Sequence, residues 1–274
     1  MRIAYFPNQV ALNSKPVLDA VFQSCSSAGL IPVADSMDAD MAIIWSVLWH
    51  GRMTKNQQVY EHYKNSGRPV IIVDIGTLIR GVTWKIALNN ITSAGYYGHT
   101  ENLDWDRPAK LNIHLNQSSG KHILIAAQHQ NSLQVDGLNI NNWIAQQIDQ
   151  VKQYTDRPIV VRPHPRCRLN LSNLTGITIE TPAKLANTYD SFDIDYRCHA
   201  VISYNSGPGI QAAIAGARPI TDCTSLAYPV SVKIENIEQP YILDREKWLV
   251  EICHTEYTIE EIAAGLWIKR LNLQ

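Results

Sequence analysis

The run Val160-Val161-Arg162-Pro163-His164-Pro165-Arg166 carries β-branched residues into a guanidinium, an imidazole and two prolines. Proline presets φ and cannot donate to a strand ladder, so the run predicts a strand that stops in a rigid turn holding Arg162 and His164 at its carboxyl end. A guanidinium offers a fork of donors and an imidazole one donor that can also be charged, a pair suited to a diphosphate. A plain surface turn with solvated charges is the competing reading. A second run, Ser203-Tyr204-Asn205-Ser206-Gly207-Pro208-Gly209-Ile210-Gln211-Ala212-Ala213, reads as a strand, a turn of small residues and a helix. Pro208 falls in the first helical turn, where its missing N–H would be unpaired anyway. The N–H groups and dipole of that helix start attract anions, and Ser206 and Gly207 let a phosphate come close. Capping by Asn205 or Ser206 is the plainer use of these residues, and both uses can coexist.

Proton transfer needs a different kind of residue. Asp74 closes the apolar run Val70-Ile71-Ile72-Val73 and stands before Gly76, so its carboxylate is expected at the carboxyl edge of a sheet, where a general base would sit. A cap on the following segment would explain it equally well. His50, Asp104 and Asp106 are the alternative bases. Around them cluster Trp45, Trp49, Trp84, Tyr96, Tyr97 and Trp105, with Arg52, Lys55, Arg80, Lys85 and Arg107 nearby. Rings of this kind stack on bases or sugars and such cations meet phosphates, although core packing is the competing use of most of the tryptophans. Asp38-Ala39-Asp40 and Asp193-Ile194-Asp195 read as solvated turns, so no metal-binding Asp-x-Asp stands at a strand end. No Walker sequence and no G-x-G-x-x-G follows a strand.

The elements that must position these residues alternate. Arg2 to Phe6, Met41 to Ser46 and Pro69 to Asp74 are strand-like, and Lys15 to Ala28 and Gln57 to Asn65 are helix-like. That βαβαβ order implies a parallel sheet covered on both faces. Gly29 and Ser66-Gly67-Arg68-Pro69 stand where the two helices should stop. The rhythm weakens from Trp84 to Ser119 and restarts as His122–Ala127, Pro158–Arg162, Ile177–Glu180, Ala200–Tyr204 and Arg218–Asp222 strands, with helices over Ile140–Tyr154 and Gly209–Ala215. Two domains are therefore expected, 1–118 binding an acceptor and 119–274 binding a donor, with a central cleft between the carboxyl ends of their strands.

The 274 residues, 45% apolar and 18% charged, suffice for two folded units and argue against disorder. Apolar runs such as Ala42 to Trp49 are too short to span a bilayer, and the N-terminus lacks a signal-peptide pattern, so a cytoplasmic protein without membrane contact is expected. Five scattered cysteines without C-x-x-C spacing indicate reduced thiols. A net charge of −1 offers no global field for polyanions.

The order strand-Arg162-Pro163-His164-Pro165, then Asn205-Ser206-Gly207 into an Ala-rich helix, then Gly216-Ala217-Arg218-Pro219-Ile220 and Tyr228-Pro229, resembles capsule-polysaccharide-type GT-B glycosyltransferases. The strand Ile123-Leu124-Ile125-Ala126-Ala127 ending in Gln128 is similar to their first C-terminal strand. Over nearly the whole chain, including Met1 to Trp49 and Asn102 to Pro108, it resembles bacteriophage glycosyltransferases that decorate modified DNA bases. The resemblance implies a GT-B fold of two Rossmann-like parallel α/β domains. It implies metal-independent transfer of a sugar, glucose from UDP-glucose, to a base such as 5-hydroxymethylcytosine in double-stranded DNA, with no cofactor beyond the nucleotide-sugar donor. Gln128, Arg162, His164, Arg166, Asn205, Ser206, Gly207, Asp222 and Tyr228 would hold the donor. Trp49, Arg52, Arg80, Tyr97 and Trp105 would hold the acceptor, with catalysis at Asp74, His50 or Asp104. A transferase acting on a glycan or a sugar phosphate, a sugar-phosphate epimerase of the same fold, and a non-catalytic nucleotide-binding module remain open.

Overall fold

The computed structural model describes residues 1–11, 14–118, 120–135, 137–167, 169–171, 174–182 and 195–273. Ser119 at the expected junction, and Asp193 and Ile194 of the second Asp-x-Asp, lie outside them. The elements run β1 (Arg2–Tyr5), α1 (Lys15–Ser27), β2 (Ile31–Ala34), β3 (Met41–Trp45), α2 (Asn56–Asn65), β4 (Val70–Ile75) and β5 (Trp84–Leu88). They continue with α3 (Arg107–Lys110), β6 (Ile123–Ala126), α4 (Ile140–Tyr154), β7 (Ile159–Arg162), β8 (Thr178–Ile179), β9 (Ala200–Ser203), α5 (Gly207–Ala215) and β10 (Arg218–Thr221). The chain closes with α6 (Glu246–Cys253), β11 (Glu256–Tyr257), α7 (Ile259–Ala263) and α8 (Leu266–Arg270). Among the described residues no helix is long and apolar enough to cross a membrane.

Two compact units result, Met1–Asp104 with Glu251–Gln274, and Trp105–Val250. This division differs from the expected 1–118 and 119–274: the C-terminal segment returns to the first unit, and the crossing from the first to the second comes earlier. The returning segment is amphipathic. Tyr257, Ile262, Trp267, Ile268 and Leu271 join Val17, Val21, Ile43, Ile71 and Ile86 in one buried cluster, and each such side chain contributes about 1.5–3 kcal/mol of burial.

The first unit holds a six-stranded sheet of order β11-β5-β4-β3-β1-β2. The strands β2, β1, β3 and β4 are mutually parallel, as the βα alternation implies, whereas β5 pairs antiparallel with β4, and β11 antiparallel with β5. Ile31–Ala34, Trp84–Leu88 and Glu256–Tyr257 were not expected as strands: β2 and β11 are short and lie at the two sheet edges, where burial patterns a strand weakly, and β5 between β11 and β4 is a five-residue segment broken by Lys85. The helix α1 places Val17, Leu18, Val21 and Cys25 on its buried face. It ends where Gly29 adopts a left-handed φ of 74°, as α2 ends at Gly67 with 69°.

The second unit holds a five-stranded parallel sheet of order β10-β9-β6-β7-β8. In α4 the side chain of Asn139 accepts the Asn142 N–H, capping a helix whose buried face is Ile140, Trp143, Ile144, Ile148 and Val151. Those residues pack on Ile123, Ile125, Ile159, Val161 and Ile202. Buried on both faces, these strands read as continuous apolar runs.

Candidate functional site

In the second unit the chain steps from β6 to β7 and β8 in one direction, and β9 and β10 lie on the opposite flank of β6. The order thus reverses between β6 and β9, the kind of switch point outside which open α/β sheets hold ligands. Gln128 and Asn205 follow those two strands closely, and both are buried. Gln128 Nε2 donates to Asn205 Oδ1 at 2.9 Å, and Asn205 Nδ2 donates to the Gln134 carbonyl at 3.0 Å and to Thr224 Oγ1 at 2.9 Å. Thr224 Oγ1 in turn donates to Asp222 Oδ1 at 2.6 Å. A polar chain therefore ties together the carboxyl ends of β6, β9 and β10. Gln128 and Asn205 bond to each other, and Thr224 links Asn205 to Asp222, so these side-chain groups shape the strand edge.

Ser206 is the N-cap residue of α5 by position, in extended backbone, yet no side chain caps the helix. Asn205 is turned toward Gln134 and Thr224 instead. Neither residue serves the capping role that competed with anion binding. A Cβ on Gly209 would lie 2.8 Å from Thr221 Cγ2 and 2.9 Å from Ser203 Oγ, so glycine there lets α5 settle closely on β9 and β10.

The end of β7 departs from expectation. Arg162 is only 4% exposed, and its guanidinium pairs with the carboxylate of Glu180, immediately beyond β8. Its charge is already met inside the fold. His164, two residues on, is half-buried and its Nδ1 accepts the Arg166 N–H at 3.1 Å. Its ring meets that of buried His129 edge-on, with centroids 5.2 Å apart, and His129 Nδ1 accepts the Asn131 N–H at 3.0 Å. With both Nδ1 atoms accepting, each neutral ring carries its proton on Nε2. Arg166 is exposed, and Tyr228 is 51% exposed at the start of a short helical turn.

In the first unit Asp74 sits within β4, directly opposite Lys85 of β5. One carboxylate oxygen accepts the Ile75 N–H at 2.8 Å and the other the Ser46 hydroxyl at 3.4 Å. Ser46 holds a left-handed φ of 63°, uncommon outside glycine and costly enough to require its surroundings to enforce it. Burial raises the Asp74 pKa, and its two hydrogen bonds, Lys85 and Arg80 oppose the rise. A carboxyl group so displaced moves toward the range useful for proton transfer near neutrality. The Tyr97 hydroxyl is buried without a hydrogen-bond partner, its pKa pushed well up by burial and by Glu256 and Asp74.

No family model matches this chain, and no curated protein matches it. Solved structures do. The chain is similar to the β-Kdo 2,7 transferase of Thermosulfurimonas dismutans KpsC, at TM-score 0.52 and 13% identity over 100% of this chain and 99% of that one. It is similar to the β-Kdo 2,4 transferase of the same KpsC at TM-score 0.53 and 9% identity, over 97% and 98% of the two chains. The chain has a GT-B fold. Each unit of this GT-B fold is one Rossmann-like domain, as the resemblance implied.

Within the GT-B frame, Gln128, Arg162, His164, Arg166, Asn205, Ser206, Gly207, Asp222 and Tyr228 all fall in the second unit. Asp74, His50, Asp104, Trp49, Arg52, Arg80 and Tyr97 fall in the first, whereas Trp105 and Asp106 open the second. His50 is exposed before a short helical turn, and exposed Asp104 donates its N–H to His254 Nε2 at 3.2 Å. Trp45 is a buried core residue, Trp49 is half-buried with its ring against Tyr60, and Trp105 is 63% exposed. Lys85 and Arg107 are buried, and Lys85 faces Glu256, so neither stands on the surface as a phosphate contact. Asp38 and Asp40 are exposed, and Asp40 accepts the N–H of Arg2, 38 residues away in the chain, at 2.6 Å.

Sequence reasoning missed His129, Gln134, Glu180, Thr224 and Glu256. His129 adjoins the recognised Gln128, and Asp222-Cys223-Thr224 is a turn pattern, so both left a local trace. Glu180 and Glu256 left none, because their partners are remote in the chain.

Proposed function

We propose that this protein is a glycosyltransferase that moves glucose from UDP-glucose to a hydroxylated base, 5-hydroxymethylcytosine, in double-stranded phage DNA. The observation that carries the donor half is the switch point of the second unit, where His164, Arg166 and an uncapped helix start gather at one sheet edge. Cations, Nε2–H donors and a helix N-terminus are suited to charge developing on a departing diphosphate, without a metal ion. In this reading the acceptor hydroxyl attacks the anomeric carbon, Asp74 takes its proton, the glycosidic bond to the diphosphate breaks, and the electron pair leaves with the nucleotide. The GT-B fold supports a sugar-nucleotide enzyme. The DNA acceptor rests on the resemblance to phage glycosyltransferases and on exposed Arg52, Arg80 and Trp105.

A glycan acceptor is the second reading, favoured by the two solved structures, both named as Kdo transferases. Incubation with a panel of sugar nucleotides, offered duplex DNA carrying 5-hydroxymethylcytosine or an oligosaccharide, separates the two. A nucleoside heavier by one hexose supports the DNA reading, and a heavier glycan supports the other. Nucleotide binding without turnover on any acceptor would reduce the protein to a binding module, and no binding at all would remove the donor assignment.

A further inference from the structure

Across the far side of the first sheet runs a row of ionisable residues drawn from both ends of the chain. In register, Asp74 of β4 stands opposite Lys85 of β5, and Lys85 stands opposite Glu256 of β11. Residues directly opposite in antiparallel strands point to the same face. Their neighbours Val73, Ile75, Trp84, Ile86 and Tyr257 belong to the apolar cluster on the other face, so Asp74, Lys85 and Glu256 share the face turned away from it.

Glu256 is fully buried. It accepts the Thr77 N–H at 2.7 Å, the Leu78 N–H at 2.9 Å and the Thr83 hydroxyl at 2.7 Å, and Lys85 Nζ lies 3.9 Å from its carboxylate. A Cβ on Gly76 would come within 2.6 Å of its Oε2. The segment from Gly76 to Thr83, which begins two residues after Asp74, is thus wrapped around this carboxylate. Such an investment of donors holds a buried anion in one place.

We infer that Glu256 is a positioning residue for Asp74: by drawing on Lys85 from the opposite side, it weakens the hold of that ammonium on the Asp74 carboxylate and so keeps Asp74 a stronger proton acceptor. The groups facing Asp74 are Lys85, Arg80, the Ser46 hydroxyl, and Tyr97. Lys85 and Arg80 favour its anion, whereas Glu256, two strands away, disfavours it. At ordinary strand spacing the two carboxylates are roughly 10 Å apart, and a charge at that distance in a partly buried setting moves a titration by about one pH unit. The functional meaning rests on Asp74 being the base, but the electrostatic coupling does not.

The test is a titration of the full-length protein labelled with 13C at aspartate side chains, the Asp74 carboxyl resonance being assigned by its loss in Asp74→Asn. In Glu256→Gln the Asp74 midpoint is expected to fall by about one pH unit. A folded Glu256→Gln whose Asp74 midpoint is unmoved, even with a lowered Tm, would overturn the inference, since a purely structural role changes stability alone. If Glu256→Gln does not fold, Lys85→Met and Lys85→Met/Glu256→Gln decide by the same resonance: an Asp74 midpoint lower in the double variant than in Lys85→Met supports the coupling, and equal midpoints overturn it. Failure of the glycosyltransferase reading would appear separately, as absent nucleotide binding, and would leave this titration unchanged.

Discussion

His164 and Arg162 stand two residues apart, and the buried guanidinium of Arg162 is met by the exposed carboxylate of Glu180. His164→Ala is expected to keep the fold and weaken UDP binding or turnover by about 1.5–3 kcal/mol, the range for a charge-assisted hydrogen bond. Calorimetry with UDP checks it, and unchanged affinity together with unchanged turnover would remove His164 from the donor site. Arg162→Ala, in contrast, empties a buried position and removes its ion pair with the exposed Glu180 carboxylate, so it should lower stability by about 1–3 kcal/mol before any effect on ligand is read. Asp74→Asn should lower turnover roughly 100- to 10,000-fold with donor affinity nearly unchanged. The same substitution should stabilise the fold. Because the folded-state pKa of Asp74 is raised, the native protein binds more protons, and its stability falls as pH climbs from the unfolded carboxyl value through the folded one. The Tm advantage of Asp74→Asn should therefore be small at low pH and grow until Asp74 is ionised in both states. A Tm difference that does not grow with pH would contradict the burial argument.

Among the elements, the helix α5 depends on the turn before it. That turn is held by Asn205, whose side chain makes hydrogen bonds with Gln128, Gln134 and Thr224. Asn205→Ala leaves buried Gln128 without this acceptor and the Gln134 carbonyl without this donor, so a loss of about 2–4 kcal/mol is expected from chemical denaturation. A loss under 1 kcal/mol would mean that water replaces the amide. The sequence marks this turn by composition, since Asn, Ser, Gly and Pro in succession predict a break and a helix start. The identity of the partners is set by neighbouring strands, and strand order is not readable from one strand.

For the molecule as a whole, the C-terminal segment is part of the first unit, adding β11 to the sheet edge and Trp267 and Ile268 to its core. Removal of residues 251–274 should leave the β5 edge and that apolar surface bare. The expected outcome is lost amide protection in β1, β3 and β4 by hydrogen exchange while β6 and β9 stay protected, and full protection of the first sheet would refute it. If the acceptor is DNA, its apparent affinity should fall with salt along a shallow log–log slope of about −1 to −3, since a chain of net charge −1 can neutralise few phosphates. Salt-independent kinetics would favour an uncharged glycan.

Local chemistry determined a great deal by itself. Apolar runs of strand length separated by helical segments specified two Rossmann-like units, and the proline-bracketed His164 and the Ser206-Gly207 turn were found because each is a short contiguous pattern. These are nearest-neighbour facts, governed by backbone sterics and periodicity, and they survive without knowledge of the fold. Tertiary structure alone decided that Arg162 spends its charge on Glu180, that Gln128 and Asn205 bond to each other across 77 residues, and that Lys85 lies buried between Asp74 and Glu256. Glu256 meets Thr77 across 179 residues. Which polar group a buried charge finds depends on strand order and register, and those are set by how whole faces pack, a property that no single segment carries.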